Sequence, residues 1–193
     1  MLNKAREQWD VAQLIKLIPS NTQITIDSVV LHPWAENPQS VGALAVSQLG
    51  IYTSRKEART EKVVAEVLRL GALESLLQCL SATPRDRKEA ALLALSFLSE
   101  DCSSHTGPAI CEKLLQLNAL PLIMAELKDA KEGVRSTALF CCRNLYLSRP
   151  AVQRAFVEAQ GCKPLCDLLA SKDNLTVYET VLNVLDLLLV PPI

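Results

Sequence analysis

Aromatic side chains make up only 4% of this 193-residue chain, and it has just six glycines. Apolar residues nonetheless reach 49%, so Leu and Ala must supply most of a core, and both are strong helix formers. So few glycines argue against an all-β fold with many tight turns. A dominant charge is lacking too. With 20 basic and 21 acidic residues the net charge is −1, which leaves no long-range field to draw in phosphate backbones or anionic lipid. Nucleic acid and membrane are therefore not expected partners. The apolar stretches near 90–98 and 184–190 are too short to span a bilayer. The charged first ten residues lack the hydrophobic region of a signal peptide. Seven cysteines, an odd number spread over this length, do not form a disulfide framework, so reduced thiols in a cytoplasmic or nuclear setting are expected.

What the chain does contain is a repeat. Gly42, Val46 and Leu49 stand four and three residues apart, and the spacing returns as Ala91, Leu95 and Leu98. It recurs as Ala138, Cys142 and Leu145, and as Val181, Leu185 and Leu188. Each triplet lies on one face of a helix. A second marker interleaves with it: Gly71-Ala72-Leu73, Asn118-Ala119-Leu120-Pro121-Leu122 and Gly161-Cys162-Lys163-Pro164-Leu165. Gly or Asn can take the left-handed conformation that ends a helix, and Pro suits the first turn of the next. Each marker is thus a helix–corner–helix junction, and both markers repeat at about the period of helical solenoids. Ahead of the repeats, apolar spacing predicts an N-terminal helix over residues 2–18, stopped by Pro19-Ser20-Asn21. The stretch 22–31 reads equally as extended or as distorted helix, and Pro33 and Pro38 bracket a loop containing Trp34.

With these markers the chain resembles the armadillo repeat family, whose repeat has a short first helix, a Gly-Ala-Leu-Pro-Leu-like corner opening a second, and a third helix around Ala-x-x-x-Leu-x-x-Leu. The resemblance implies an all-α, right-handed α-solenoid of about three to four repeats. Residues 1–37 would form an N-terminal capping helix and irregular segment, and 38–193 the array. Third helices are expected at 40–52, 86–99, 133–147 and 176–190, and second helices at 71–81, 118–128 and 161–170. HEAT repeats are the near alternative, but they lack the sharp glycine corner.

In this family the third helices line a concave groove that binds peptides. Nuclear-import adaptors carry a ladder of Trp and Asn there. Carried over by position, the Trp places hold Leu44, Leu93, Phe140 and Asn183, and the Asn places hold Gln48, Phe97, Asn144 and Leu187. Only Asn144 matches, so the import-adaptor reading is rejected. Catenin-type basic linings fail as well, because Arg135 and Arg143 are the only clear cations. What the resemblance leaves is an apolar groove of Leu44, Leu93, Phe97 and Phe140, edged by Gln48, Arg143 and Asn144, with Tyr146 beside it. A peptide or amphipathic partner helix fits such a surface. The alternative stays open that neighbouring helices or the N-terminal segment cover these side chains.

Catalytic and cofactor signatures are missing. Cys102, His105 and Cys111 have three of the four ligands a structural zinc site wants. Cys162 and Cys166 lie one helical turn apart, and the simplest expectation is that they face the core. His32 and His105 have no local partners for a nucleophilic triad, and no phosphate-binding glycine loop is present. The expectation is a binding protein without a cofactor and not an enzyme: an adaptor or scaffold, with a chaperone cofactor (nucleotide-exchange-factor-like) or a subunit of a larger assembly as alternatives. The apolar C-terminal helix, running into Pro191-Pro192-Ile193, is the candidate surface for self-association or a further partner contact.

Overall fold

Leu- and Ala-rich segments wind into helices where the two markers place them. The computed structural model describes residues 1–22, 40–54, 60–82, 85–100, 107–148, 154, 156–158, 160–171 and 175–189. The stretch 23–39, including His32 and Trp34, lies outside the described residues, as do Cys102, His105 and residues 190–193. Two short helices, α1 (Leu2–Gln8) and α2 (Val11–Leu17), precede α3 (Val41–Ser54). Then follow α4 (Thr60–Arg69), α5 (Ala72–Ala82), α6 (Arg85–Glu100) and α7 (Gly107–Gln116). Next come α8 (Ala119–Ala125), extended by a 3₁₀ turn Glu126–Lys128, and α9 (Glu132–Ser148), α10 (Cys162–Ala170) and α11 (Leu175–Leu189). The expected third helices are α3, α6, α9 and α11, each end within about two residues of the position the apolar spacing predicts.

The chain divides into two compact units, Met1–Leu98 and Ser99–Ile193. In the first, α2 packs on α3 and α4, α1 on α2 and α3, α3 on α4, and α4 on α5. Val46, Leu49, Ala91, Leu95 and Leu98, all from the repeated triplets, are buried there. The helices α3 and α6 approach closely at two small residues. A β-carbon on Gly50 would stand 3.0 Å from Ala94 Cα, so the shortage of side-chain bulk at these positions is what permits the approach. In the second unit α7 and α8 pack on α9, the 3₁₀ turn on α9 and α10, and α11 on both α9 and α10. Ala138, Cys142, Leu145 and Val181 are buried, whereas Leu185 and Leu188 are only half-buried. The triplet rule therefore holds fully for three helices and weakens on α11.

The corners follow the expected chemistry at two junctions and differ at the third. Gly71 (φ 70°) and Asn118 (φ 52°) take the left-handed conformation. At the third corner Gln160 does so (φ 58°), while Gly161 has an ordinary φ of −65°. The Gln160 and Gly161 amides donate to the carbonyls of Val157 and Phe156 at 3.0 and 2.9 Å, the pattern of a Schellman helix end. Gly161 is there for space: a β-carbon would lie 2.3 Å from the Phe156 ring.

The N-terminal helix expected over 2–18 is two helices. Trp9 is left-handed (φ 57°, ψ 36°) and closes α1, with the Asp10 amide donating to the Ala5 carbonyl at 2.9 Å. Asp10 then caps α2, its carboxylate accepting from the Gln13 amide at 2.9 Å. Val11, Leu14 and Ile18 bury their side chains, but Ala5 is the only buried residue of α1.

Candidate partner-binding surface

The third-helix positions named above are reached in each unit separately. On α3, Leu44 and Gln48 are buried, at 4% and 8% exposure. The Gln48 side-chain oxygen Oε1 accepts from Arg6 Nε of α1 at 2.8 Å. One turn further along the same face, the Tyr52 hydroxyl donates to the carbonyls of Arg6 and Ala5. Its ring stacks on Trp9 with centroids 4.2 Å apart and planes 8° from parallel. Burial pushes the Tyr52 phenol up to about 12, against the opposing pull of the Arg6 guanidinium. So α1 lies over Gln48 and Tyr52 of α3, and neither Leu44 nor Gln48 offers open surface.

The N-terminal segment is also held at its far end. Gly42 brings α3 so close to it that a β-carbon would sit 2.2 Å from the Ile18 carbonyl and 2.7 Å from that of Ser20. The Gly42 amide donates to the Ser20 carbonyl at 3.1 Å. The buried Arg87 guanidinium donates to the same carbonyl at 3.1 Å and to the Asn21 side-chain oxygen. Burial raises the Cys79 thiol, partly offset by Arg87.

On α6, Leu93 and Phe97 are half-buried, with the Phe97 ring beside the Gly50 contact. In the second unit, Phe140 of α9 is 36% exposed, Arg143 is half-buried and Asn144 is buried. Tyr146 has its side chain outside the described residues. Sequence reasoning missed Leu182 on α11, which is 57% exposed. The repeat register carried Asn183 into the place of Phe140, and Leu182 stands one residue away; Glu179, Asn183 and Asp186 beside it are exposed.

Arg135 does not join this surface. Its guanidinium donates to the carbonyls of Asp129 and Ala130 at 2.8 and 3.0 Å, tying the turn before α9. It lines an open hollow that also gathers Lys128, Asp129, Glu132 and Asp167. Both charge signs meet there, so the hollow selects no one class of charged ligand.

The cysteines correct one expectation. Cys162 and Cys166 are exposed, not core-facing, because α10 buries Pro164, Leu165 and Leu168, which lie across the helix from them. Cys79, Cys111, Cys141 and Cys142 are buried, and burial pushes the Cys142 thiol up to about 12. Among the described residues no group of three His, Cys, Asp or Glu side chains is placed to hold a metal ion. No helix among them is long and apolar enough to cross a membrane.

No family model and no curated protein matches the chain, but solved structures do. The armadillo repeats only protein (ARO) from Plasmodium falciparum superposes with a TM-score of 0.83 over 98% of this chain and 77% of its own, at 25% identity. The chain has the armadillo repeat fold. Computationally designed armadillo repeat proteins for modular peptide recognition match with a TM-score of 0.74 at 17% identity, over 96% of this chain and 67% of theirs. A designed armadillo repeat protein in complex with the peptide (KR)4 matches at 0.71 and 19% identity, over 97% and 67%.

Proposed function

We propose that this armadillo protein is an adaptor or scaffold, not an enzyme, that binds a partner peptide or amphipathic helix on the exposed apolar side chains of the third helices of its second unit, α9 and α11. The observation that carries the reading is Phe140. An aromatic ring more than a third exposed sits on α9 where the family's ligand-contacting side chains stand. Leu182 on α11 of the same unit is more exposed still, while the first unit, taken by itself, has half-buried Leu93 and Phe97 on α6. Aromatic anchors of this sort tend to dominate the energetics of interfaces. The peptide-recognising designed armadillo proteins support the binding mode. The exposed carboxylates Glu179 and Asp186 beside Leu182 favour a helix that carries basic residues at the edge of its apolar stripe.

The test compares proteins captured from the source cell by the wild-type chain, by Phe140→Asp and by Phe97→Asp. Circular dichroism must first show that each variant is folded. Loss of a specific partner from folded Phe140→Asp supports the assignment; retention of every partner by both variants refutes it.

A second reading concerns α11. Leu182 is 57% exposed, and Leu185 and Leu188 are half-buried, which favours this helix as a contact with a second copy or a larger assembly. Light scattering across a concentration series tests it, and a constant monomer mass refutes self-association.

A further inference from the structure

The contact between α1 and α3 differs in kind from the packing elsewhere in the first unit. The helix α2 is embedded through Val11, Leu14 and Ile18, all nearly inaccessible. The helix α1 has seven residues and buries only Ala5, too short to persist as a helix without its contacts. Besides its packing on α2, specific interactions tie it to α3. These are the Arg6–Gln48 hydrogen bond, the Tyr52 hydroxyl on the carbonyls of Ala5 and Arg6, and the Trp9–Tyr52 stack. Gln48 and Tyr52 stand one helical turn apart. The pair reads a helix by three features at once: an arginine side chain, the carbonyls of its last turn, which accept the Tyr52 hydroxyl besides the cap amides, and an aromatic ring three residues after the arginine.

We propose that Gln48 and Tyr52 form a helix-docking site that α1 occupies in cis, and that a partner helix ending in an arginine followed three residues later by an aromatic residue competes with α1 for it. This rests on the third-helix reading above and deepens it, because the displaced α1 uncovers Gln48 and Tyr52 of a third helix in the first unit. The hinge is Trp9–Asp10, where the chain is already left-handed and α2 begins from its own Asp10 cap. Detachment of α1 therefore leaves α2 in place. Apparent affinity for an external helix scales with the fraction of molecules whose site is open. Loosening α1 should raise it accordingly, by about tenfold if α1 is away in about one molecule in ten.

A labelled synthetic peptide of residues 1–10 is the probe, titrated against the full-length chain and two variants by fluorescence anisotropy. The double substitution Arg6→Ala with Trp9→Ala loosens α1 without touching the docking site. It is expected to bind the peptide about tenfold more tightly than wild type. Adding Gln48→Ala and Tyr52→Phe to that background is expected to abolish the gain. Hydrogen exchange on the wild type provides a second readout that needs no variant: amides of α1 should exchange well before those of α2. The proposal is overturned if the loosened chain, shown folded by its thermal transition, binds the peptide no better than wild type. It is equally overturned if α1 and α2 are protected alike. Phe140 and Phe97 play no part in this assay, so its failure is distinct from failure of the third-helix surface to bind a partner.

Discussion

Gly42→Ala adds one methyl group at the point where the N-terminal segment meets α3. The new β-carbon would lie 2.2 Å from the Ile18 carbonyl oxygen and 2.7 Å from that of Ser20, with Arg87 Nε at 3.1 Å. Both nearest atoms are backbone, so no side-chain rotation relieves the clash, and the segment must shift by roughly 1 Å to restore ordinary contact. Forced overpacking of this sort costs about 1–3 kcal/mol. A shift also stretches the Gly42–Ser20 bond and the bonds from Arg87 to Ser20 and Asn21. Hydrogen bonds from a charged donor contribute about 1.5–3 kcal/mol each. Opposing this is the better helix propensity of Ala, at most about 1 kcal/mol and less in the first turn. The net expectation is a destabilisation of about 2–4 kcal/mol. Gly133→Ala is the internal control: it too lies in the first turn of a third helix, but among the described residues its β-carbon would meet only Lys131 Cε at 4.0 Å. It should stabilise by about 0.5–1 kcal/mol. Urea denaturation of both variants, comparing midpoints at unchanged slope, makes the measurement. A Gly42→Ala chain as stable as wild type would refute the close approach on which the seating of the N-terminal segment depends.

At the third corner, Gln160→Gly should stabilise by about 1 kcal/mol by relieving a left-handed non-glycine residue. Gly161→Ala should destabilise by about 1–3 kcal/mol against the Phe156 ring, and thermal melts should show these opposite signs at adjacent positions. Alkaline stability should report Tyr52. Below pH of about 10 its phenol is protonated in both states, but from there to about 12 only the unfolded chain loses the proton. Stability therefore falls as pH rises through that window, and Tyr52→Phe should flatten that part of the fall while the Cys142 contribution remains. In a Cys102→Ser background, a thiol reagent should titrate Cys162 and Cys166 at once and the four buried cysteines only on unfolding. Fast reaction of more than two thiols would contradict the burial of α5, α7 and α9.

The spacing of apolar triplets and corners made the helices of the array legible because both are local signals. Each triplet repeats the periodicity of one buried face, and each corner needs one residue able to turn left-handed. Failures came where the deciding contact lies elsewhere in the chain. Gly161 was read as a conformational residue, but its role is to make room for Phe156. The break at Trp9 was hidden by apolar spacing running across it, although Asp10 with Gln13 three residues later is a capping signature visible in the sequence. The exposure of Cys162 and Cys166 was also readable, since Pro164, Leu165 and Leu168 define the opposite face of α10. By contrast, no local feature says that α1 folds onto Gln48 and Tyr52, and so the covering of Gln48 was open until the structure showed it. Leu182 was missed because one-residue register transfer carries a position, not its surroundings.

Exposure alone does not distinguish the third helices, and this allows a sharp control. Phe140 on α9 is 36% exposed and Leu122 on α8 is 37% exposed, so an aspartate at either place removes a similar apolar contact from the surface. The decisive measurement is the affinity of a captured partner for folded Phe140→Asp and folded Leu122→Asp, by titration calorimetry. The account predicts at least about tenfold weaker binding for Phe140→Asp, corresponding to about 1.4 kcal/mol, with Leu122→Asp indistinguishable from wild type. Equal affinity for both variants, or a loss confined to Leu122→Asp, would contradict it.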